Sequence, residues 1–425
     1  MKYSEPEIAV RLAEKRQASP LLPIFLIVLV DVLGFTIILP LLPFYSEHLG
    51  ASPAVVGAIV AIYAVFQLLA GPILGQISDR VGRRPVLLVS QAGTLVGFLI
   101  LAFSTQVWML FLSRAVDGAT AGNLSIAQAY ISDVTKPENR AKSFAFIGVA
   151  FGFGFLVGPA ISGFLAHFSY QAPVFAAAAL SLTSILCTFF LLPKRARAED
   201  RGLAADVNPG PGGKRLSILS WKEYGRFFRD PALAGLLAQW LLFSLSFSAF
   251  ISGFALFAER RYYWNGHRLG VREVGYIFAF NGFISIFMQG GLVGRAVKWL
   301  GERQVIIVGF ASSMLGYAAV GFTNSVPQLL WVLGLTSVGA AGLRPALTSL
   351  VTQQAGKREQ GVILGLNQSL TSIAQIAAPL LSGILISHEF LRTWAVCAGA
   401  FAGLALFFRT KAAQYAPPLH AGRSA

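Results

Sequence analysis

Apolar residues run along this chain in long unbroken blocks, and short clusters of charge separate one block from the next. A helix needs about 20 consecutive apolar residues to cross a bilayer. Continuous blocks select helices, because the strands of a membrane barrel would alternate apolar and polar positions. With no water in the hydrocarbon region, each block has to close its own backbone hydrogen bonds. The pattern predicts twelve spans, near 21–45, 54–76, 86–104, 107–132, 143–166, 172–192, 232–258, 272–294, 304–322, 327–351, 361–387 and 391–409. The first is too long for a cleaved signal sequence and carries Asp31.

The expected fold class is therefore an all-α membrane protein with twelve transmembrane helices in two six-helix bundles. The bundles would cover 21–192 and 232–409, with tails at 1–20 and 410–425. The segment 193–231 holds Pro209-Gly210-Pro211-Gly212-Gly213 and many basic residues, and it is expected to be a flexible linker. Lys222 to Arg229 within it could form a short basic amphipathic helix on the inner leaflet.

Composition agrees with this: 55% of residues are hydrophobic and only 12% charged. The net charge of +15 could point to nucleic acid, but most of the 34 Lys and Arg fall in the two tails and the even-numbered loops. That bias is the positive-inside rule and predicts both termini in the cytoplasm, with no nucleic-acid partner. Cys187 and Cys397 lie in different spans, so neither a disulfide nor a metal site is expected.

The chain repeats itself. Gly75-x-x-x-Asp79-Arg80-x-Gly82-Arg83-Arg84 follows the second span, and Gly294-x-x-x-Lys298-Trp299-x-Gly301-Glu302-Arg303 follows the eighth. Gly158-Pro159-Ala160-Ile161-Ser162-Gly163 in the fifth span is matched by Ala378-Pro379-Leu380-Leu381-Ser382-Gly383 in the eleventh. A duplicated six-helix unit of this kind places a binding site near the midplane between its halves.

These motifs resemble those of the major facilitator superfamily. The charged decapeptide is similar to its loop signature, and Phe111-Leu112-Ser113-Arg114-Ala115-Val116-Asp117-Gly118 resembles its fourth-helix arginine motif. Gly154-x-x-x-Gly158-Pro159-x-x-Ser162-Gly163 is similar to the fifth-helix motif of proton-coupled antiporters, with Ser162 where the strictest pattern has Gly. Asp31-x-x-Gly34, Pro40-x-x-Pro43 and the run from Ser78 to Ser90 are closest to the tetracycline-efflux branch. The resemblance implies a transporter in a bacterial inner membrane, driven by the proton gradient without a cofactor, with Gly154, Gly158, Pro159 and Gly163 as its antiporter motif. That branch has an acid in the third helix, a histidine in the eighth and an acid in the ninth, where this chain has Gly97, Ser285 and Ser313. These departures point away from a metal-chelated tetracycline as cargo.

Ionisable side chains at membrane depth are costly and default to function. Asp31, Arg114, Asp117 and Arg344 are the candidates. Asp31 is expected to accept the proton with Arg114 as its partner, since burial favours the neutral carboxyl and a nearby cation the charged one. The alternative is a static Arg114–Asp117 pair one helical turn apart, with Asp117 carrying the proton instead or as well. Gly75, Asp79, Arg80, Gly82, Arg83, Arg84, Asp133 and Arg140 are expected to form a cytoplasmic gate of charge-assisted pairs across the halves, or else a headgroup anchor. Phe35, Gln67, Asn123, Trp240, Phe247, Asn281, Asn367 and Gln375 are candidates for the cavity wall, or for helix packing. Arg344 could attract an anionic substrate or snorkel toward the cytoplasm.

The expected function is proton-coupled export of small amphipathic or drug-like molecules. A symporter or facilitator importing a nutrient, and a non-transporting sensor, are the alternatives. No nucleotide-binding loop and no nucleophile–base constellation suggest an ATP-driven pump or an enzyme. The expected partners are a small-molecule substrate, protons and lipid; the sequence does not define an oligomer.

Overall fold

The computed structural model describes residues 21–135, 140–192, 225–354 and 356–415. The amino-terminal tail, most of the linker and the end of the carboxyl-terminal tail lie outside the described residues, as does the side chain of Arg140. Of the proposed amphipathic helix, only a single 3-10 turn at Gly225–Phe228 is described.

The helices of the first half are α1 (Leu21–His48), α2 (Pro53–Val81), α3 (Arg83–Ala102), α4 (Val107–Ala119), α5 (Asn123–Val134), α6 (Arg140–Leu165) and α7 (Gln171–Leu191). The second half contains α8 (Pro231–Arg261), α9 (Val271–Phe287), α10 (Val293–Leu300), α11 (Glu302–Val320), α12 (Val326–Ala340), α13 (Leu343–Gln354), α14 (Gly356–Ser387) and α15 (Leu391–Tyr415). A hairpin of β1 (Tyr263–Trp264) and β2 (His267–Arg268) lies between α8 and α9. Helix starts follow from local chemistry. Ser52 accepts from the Val55 amide ahead of Pro53, and Asp230 accepts from the Ala232 amide ahead of Pro231.

Among the described residues, eleven helices are long and apolar enough to cross a membrane. The fourth span completes the twelve, but it is broken into α4, with 13 residues, and α5, with 12. The sequence pattern suggested one continuous helix there. Thr120 turns its hydroxyl back onto the Val116 carbonyl at 2.9 Å, and Ser90 of α3 takes over the freed backbone. Ser90 donates to the Thr120 carbonyl and accepts from the Gly122 amide at 2.9 Å. A break at membrane depth is tolerable because it is buried in protein. The tenth span has a similar break between α12 and α13, and the eighth carries a π-turn at Met288–Leu292 between α9 and α10.

The charged decapeptide is more helical than a turn between Ser78 and Pro85. Helix α2 continues to Val81 and α3 starts at Arg83, so Gly82 alone reverses the chain. Its φ of +109° is open to glycine, and its amide closes the last turn of α2 on the Ser78 carbonyl. Gly301, at φ +79°, does the same between α10 and α11. The sequence repeat is thus a repeat of backbone geometry.

One hydrophobic cluster spans both halves at the end of the helices that the charge bias assigns to the outside, with the opposite end cytoplasmic by the same assignment. It includes Ile37, Tyr45 and Val56 from the first half and Phe254, Ala378 and Trp394 from the second. The cytoplasmic parts form two separate clusters. Ile27, Leu87 and Ile131 belong to the first half, and Leu237, Phe310 and Leu347 to the second. Among the described residues the bundles therefore share a core at one end and have separate cores at the other.

Candidate functional site

The shared outer core depends on glycines that bring backbones together. Gly57 on α2 lies against the Pro379 carbonyl of α14, and a side chain at Gly383 would stand 2.5 Å from the Pro53 carbonyl. The pseudo-equivalent pair repeats this between α6 and α9, where a side chain at Gly275 would stand 2.5 Å from the Pro159 carbonyl and one at Gly163 2.8 Å from the Arg272 carbonyl. Each half thus seats a glycine of its second span under the proline carbonyl of the other half's fifth. Of the fifth-span motif, the Pro159 carbonyl and Gly163 lie at this interface, where small residues let the backbones approach. Gly154 and Gly158 do not. They pack on Val32 and Thr36 of α1, and Thr36 donates to the Gly154 carbonyl at 2.9 Å.

Beside Thr36 on α1 is Asp31. Its carboxyl faces Ser184 of α7, Asn123 of α5 and Gln91 of α3, with the charge of Asp117 nearby. Its Oδ2 is buried and meets no donor at bonding geometry. Gln91 donates to the Ser184 hydroxyl at 2.7 Å, while its own amide oxygen and that of Asn123 are also buried without a partner. Arg114 pairs with Asp117 at 3.1 Å, not with Asp31, and both are 5% exposed. Thr94 of α3 also faces Asp117. Tyr63 of α2 faces the same charges and accepts from Gln67 at 3.2 Å.

The centre therefore comprises two acids and one cation, lined by amides and hydroxyls from four spans of the first half. Its geometry leaves no room for a side chain at Gly97, which would sit 3.0 Å from the Asp117 Cβ and 3.2 Å from the Ser113 carbonyl. Among the described residues no cluster of His, Cys, Asp or Glu could hold a metal ion.

The cytoplasmic charges are gathered around Arg83. Its Nη1 lies 2.5 Å from Asp79 and donates to Ser78 at 2.8 Å, and its Nε donates to Asp133 at 2.9 Å. These three partners of Arg83 all belong to the first half. Arg84 instead caps α7, donating to the Thr188 and Phe189 carbonyls, with its guanidinium 5.4 Å from the Phe189 ring centre. Arg80 is exposed, and a side chain at Gly75 would meet nothing within 4 Å.

The outer side has the ion pair that does cross. Arg260 of α8 meets Glu47 of α1 at 2.5 Å and Glu259 at 3.3 Å. Sequence reasoning passed over it, although Arg260 is a basic residue in an odd-numbered loop, against the charge bias. Gln91, Ser184, Thr94 and Tyr63 were also missed, because polar residues of this kind are common in helix packing.

The cavity candidates divide. Asn123 joins the Asp31 centre and Gln67 reaches Tyr63, while Phe35 and Gln375 are half-buried. Trp240 is bonded to the Asn367 carbonyl and Thr371 hydroxyl, both at 3.0 Å, and Asn281 accepts from Ser337 at 3.1 Å. Those bonds stay inside the second half. The Asn367 amide is 2% exposed and has no partner on either side-chain atom. Phe247 stacks on Phe243 at 6.0 Å and lines a small crevice with Ser313 and Tyr317.

The Major Facilitator Superfamily model matches residues 24–322 and 290–423, two overlapping stretches that together cover most of the chain. The chain belongs to the Major Facilitator Superfamily. It is 32% identical over 373 residues to the class B tetracycline resistance protein of Escherichia coli, covering 85% of this chain and 87% of that one. It is 27% identical over 386 residues to multidrug resistance protein 2 of Bacillus subtilis, covering 87% and 91%. The fold matches the solved human organic anion transporter MFSD10 (TETRAN) with a TM-score of 0.65 at 24% identity, covering 92% of this chain and 98% of that one. It matches the nucleoside transporter NupG with a TM-score of 0.72 at 14% identity, covering 93% and 99%. The protein is a multi-pass membrane transporter of the tetracycline-efflux-like branch, not an enzyme.

Proposed function

We propose that this transporter exports small amphipathic or drug-like molecules across a bacterial inner membrane in exchange for protons, by alternating access, with both termini in the cytoplasm. The observation that carries the reading is Asp31, a carboxyl at membrane depth with a buried oxygen that no donor satisfies. A buried charge is tolerated only when it is neutralised or paired. Asp31 therefore serves as the proton site, while Asp117 retains Arg114 and keeps a second negative charge within its field.

Helix α6 supplies a route from that proton to the gate. Through Gly154 and Gly158 it clasps the turn of α1 next to Asp31, and through Pro159 and Gly163 it meets α9 of the other half. A change in packing around Asp31 is thereby passed to the outer closure. The Arg83 cluster is proposed as the cytoplasmic gate in its open form. When the ends approach, Gly75 and the exposed face of α2, with Arg80 on it, become the contact surface. Gly301, Glu302 and Arg303, the matching loop of the second half, lack an acid at the Asp79 position, where Lys298 stands. The acid-bearing gate and the proton site both belong to the first half. Drug-resistance names among the relatives support export as the direction of transport, and the serines at 285 and 313 support a cargo other than metal-chelated tetracycline.

In everted vesicles with a preset proton gradient, transported drugs should dissipate the gradient for the native protein. Asp31→Asn should reduce that signal to background while the protein still inserts and folds. Full coupling in the variant would refute the assignment.

A further inference from the structure

We propose that Arg344 and Phe151 form the cargo-recognition subsite and that the cargo it takes is a planar organic anion, a conjugated or aromatic body carrying a carboxylate or enolate. The inference rests on the export reading and adds the substrate class to it.

Arg344 begins the cytoplasmic part of the broken tenth span, one residue into α13. It stands roughly 15 Å along the helix from the cytoplasmic end at Gln354, at 1.5 Å per residue. At that depth an arginine with a free path would extend toward the headgroups. This one reaches sideways, to the other half. Its guanidinium lies across the gap between the halves, 5.5 Å from the ring centre of Phe151 on α6.

The two arginines at membrane depth differ in their partners. Arg114 is neutralised by Asp117, whereas no charged side chain faces Arg344, and among the described residues it has no ion pair. Arg344 is exposed between halves whose cytoplasmic cores are separate. Among the described residues the chain thus holds a cation without a counter-charge, against an aromatic face, in the gap between the halves. Such a site lacks only an anion.

The guanidinium plane selects the form of that anion. Its paired N–H groups match the two oxygens of a carboxylate or the delocalised oxygens of an enolate. Phe151 offers an apolar edge next to them, so an aromatic body can lie edge-on against the ring while its charge engages the fork. A cationic cargo would meet like charge here, so the subsite discriminates by sign. Phe151 immediately precedes Gly152, which lies against Ile286 of α9. Cargo held on this ring therefore lies beside the helix that joins the Asp31 turn to the other half.

The test uses the full chain, purified in detergent, with a carboxylated xanthene dye and a cationic ester analogue of the same ring size. The native protein should bind the anionic dye, and Arg344→Gln should weaken it by about 10- to 100-fold, the loss expected for a charge-assisted contact. Arg344→Lys should recover part of the affinity, and binding of the cationic dye should fall in neither variant. Three results would overturn the proposal: anionic binding unchanged in Arg344→Gln, an equal loss for both dyes, or preferential binding of the cation by the native protein. Displacement of the anionic dye by phosphatidylglycerol at equal concentration would overturn it too, by assigning Arg344 to a lipid headgroup. Proton-driven uptake of the anionic dye into everted vesicles is a separate reading. If the dye binds with the predicted Arg344 dependence but no gradient drives it, the anion site stands and proton-coupled export fails.

Discussion

The outer and cytoplasmic ends of the two bundles use the same repeated parts and stand in opposite states. At the outer end, glycines at 57, 275 and 383 let backbones from the two halves touch, one hydrophobic cluster runs through both, and Arg260 reaches Glu47 across the seam. At the cytoplasmic end the glycines at 75, 290, 291 and 294 face open space, the clusters are separate, and among the described residues the partners of Arg83 lie in its own half. Closure in this fold is thus built from two materials. Backbone contact through small residues carries the outer seal, with charge as a supplement, whereas the cytoplasmic end is rich in charge that is satisfied locally while the end is open.

The sharpest way to break that contrast is to wedge the outer seal. Gly383→Leu would drive a side chain into the Pro53 carbonyl and Ala54, and overpacking of this sort costs about 1–3 kcal/mol. Because the cost falls only on the outer-closed state, transport should be lost and outer-facing cysteines should label faster. Normal transport would mean that the seal is not made by this contact.

Asp79→Asn should have the next largest effect. It removes the 2.5 Å partner of Arg83 while Asp133 and Ser78 remain, so the open state keeps most of its bonds. Turnover should drop by about tenfold, equivalent to about 1.4 kcal/mol, with cargo affinity retained. Unchanged turnover would reduce the cluster to a headgroup anchor.

Glu47→Gln should matter least. The pair is partly exposed, and pairs of that kind contribute about 0.2–1 kcal/mol. A shift of only a few-fold toward the outward-open state is expected, weaker at high salt. A loss as large as that of Gly383→Leu would make charge the principal outer seal.

How much of this was legible in the sequence follows from the kind of signal each part leaves. Twelve spans and their duplication could be read because hydropathy and a repeated charged loop are local. The break at Thr120 was hidden, since it depends on Ser90 in another helix. Asp31 and Arg114 stood out as charges in apolar blocks, yet which acid Arg114 would choose was undetermined, because Asp117 is one turn away and Asp31 comes from a different span. The fifth-span glycines announced close packing but not its partner: Gly154 and Gly158 hold α1, and Gly163 meets the other half. Gly57 and Gly275 occupy similar places in the two repeats and could have been paired with the prolines at 379 and 159. The uncharged wall of the cavity was least legible, since a bonded packing residue such as Trp240 and an unsatisfied amide such as Asn367 look alike in sequence.

The most direct test measures both ends at once. Spin labels at Gly75→Cys and Gly294→Cys report the cytoplasmic separation, and labels at Leu49→Cys and Asn265→Cys the outer one, in a background lacking Cys187 and Cys397. Lowering the pH should change the two distances in opposite senses in the otherwise native protein and leave both fixed in Asp31→Asn. Distances that move together, or a pH response that survives Asp31→Asn intact, would contradict proton-linked alternation between the two ends.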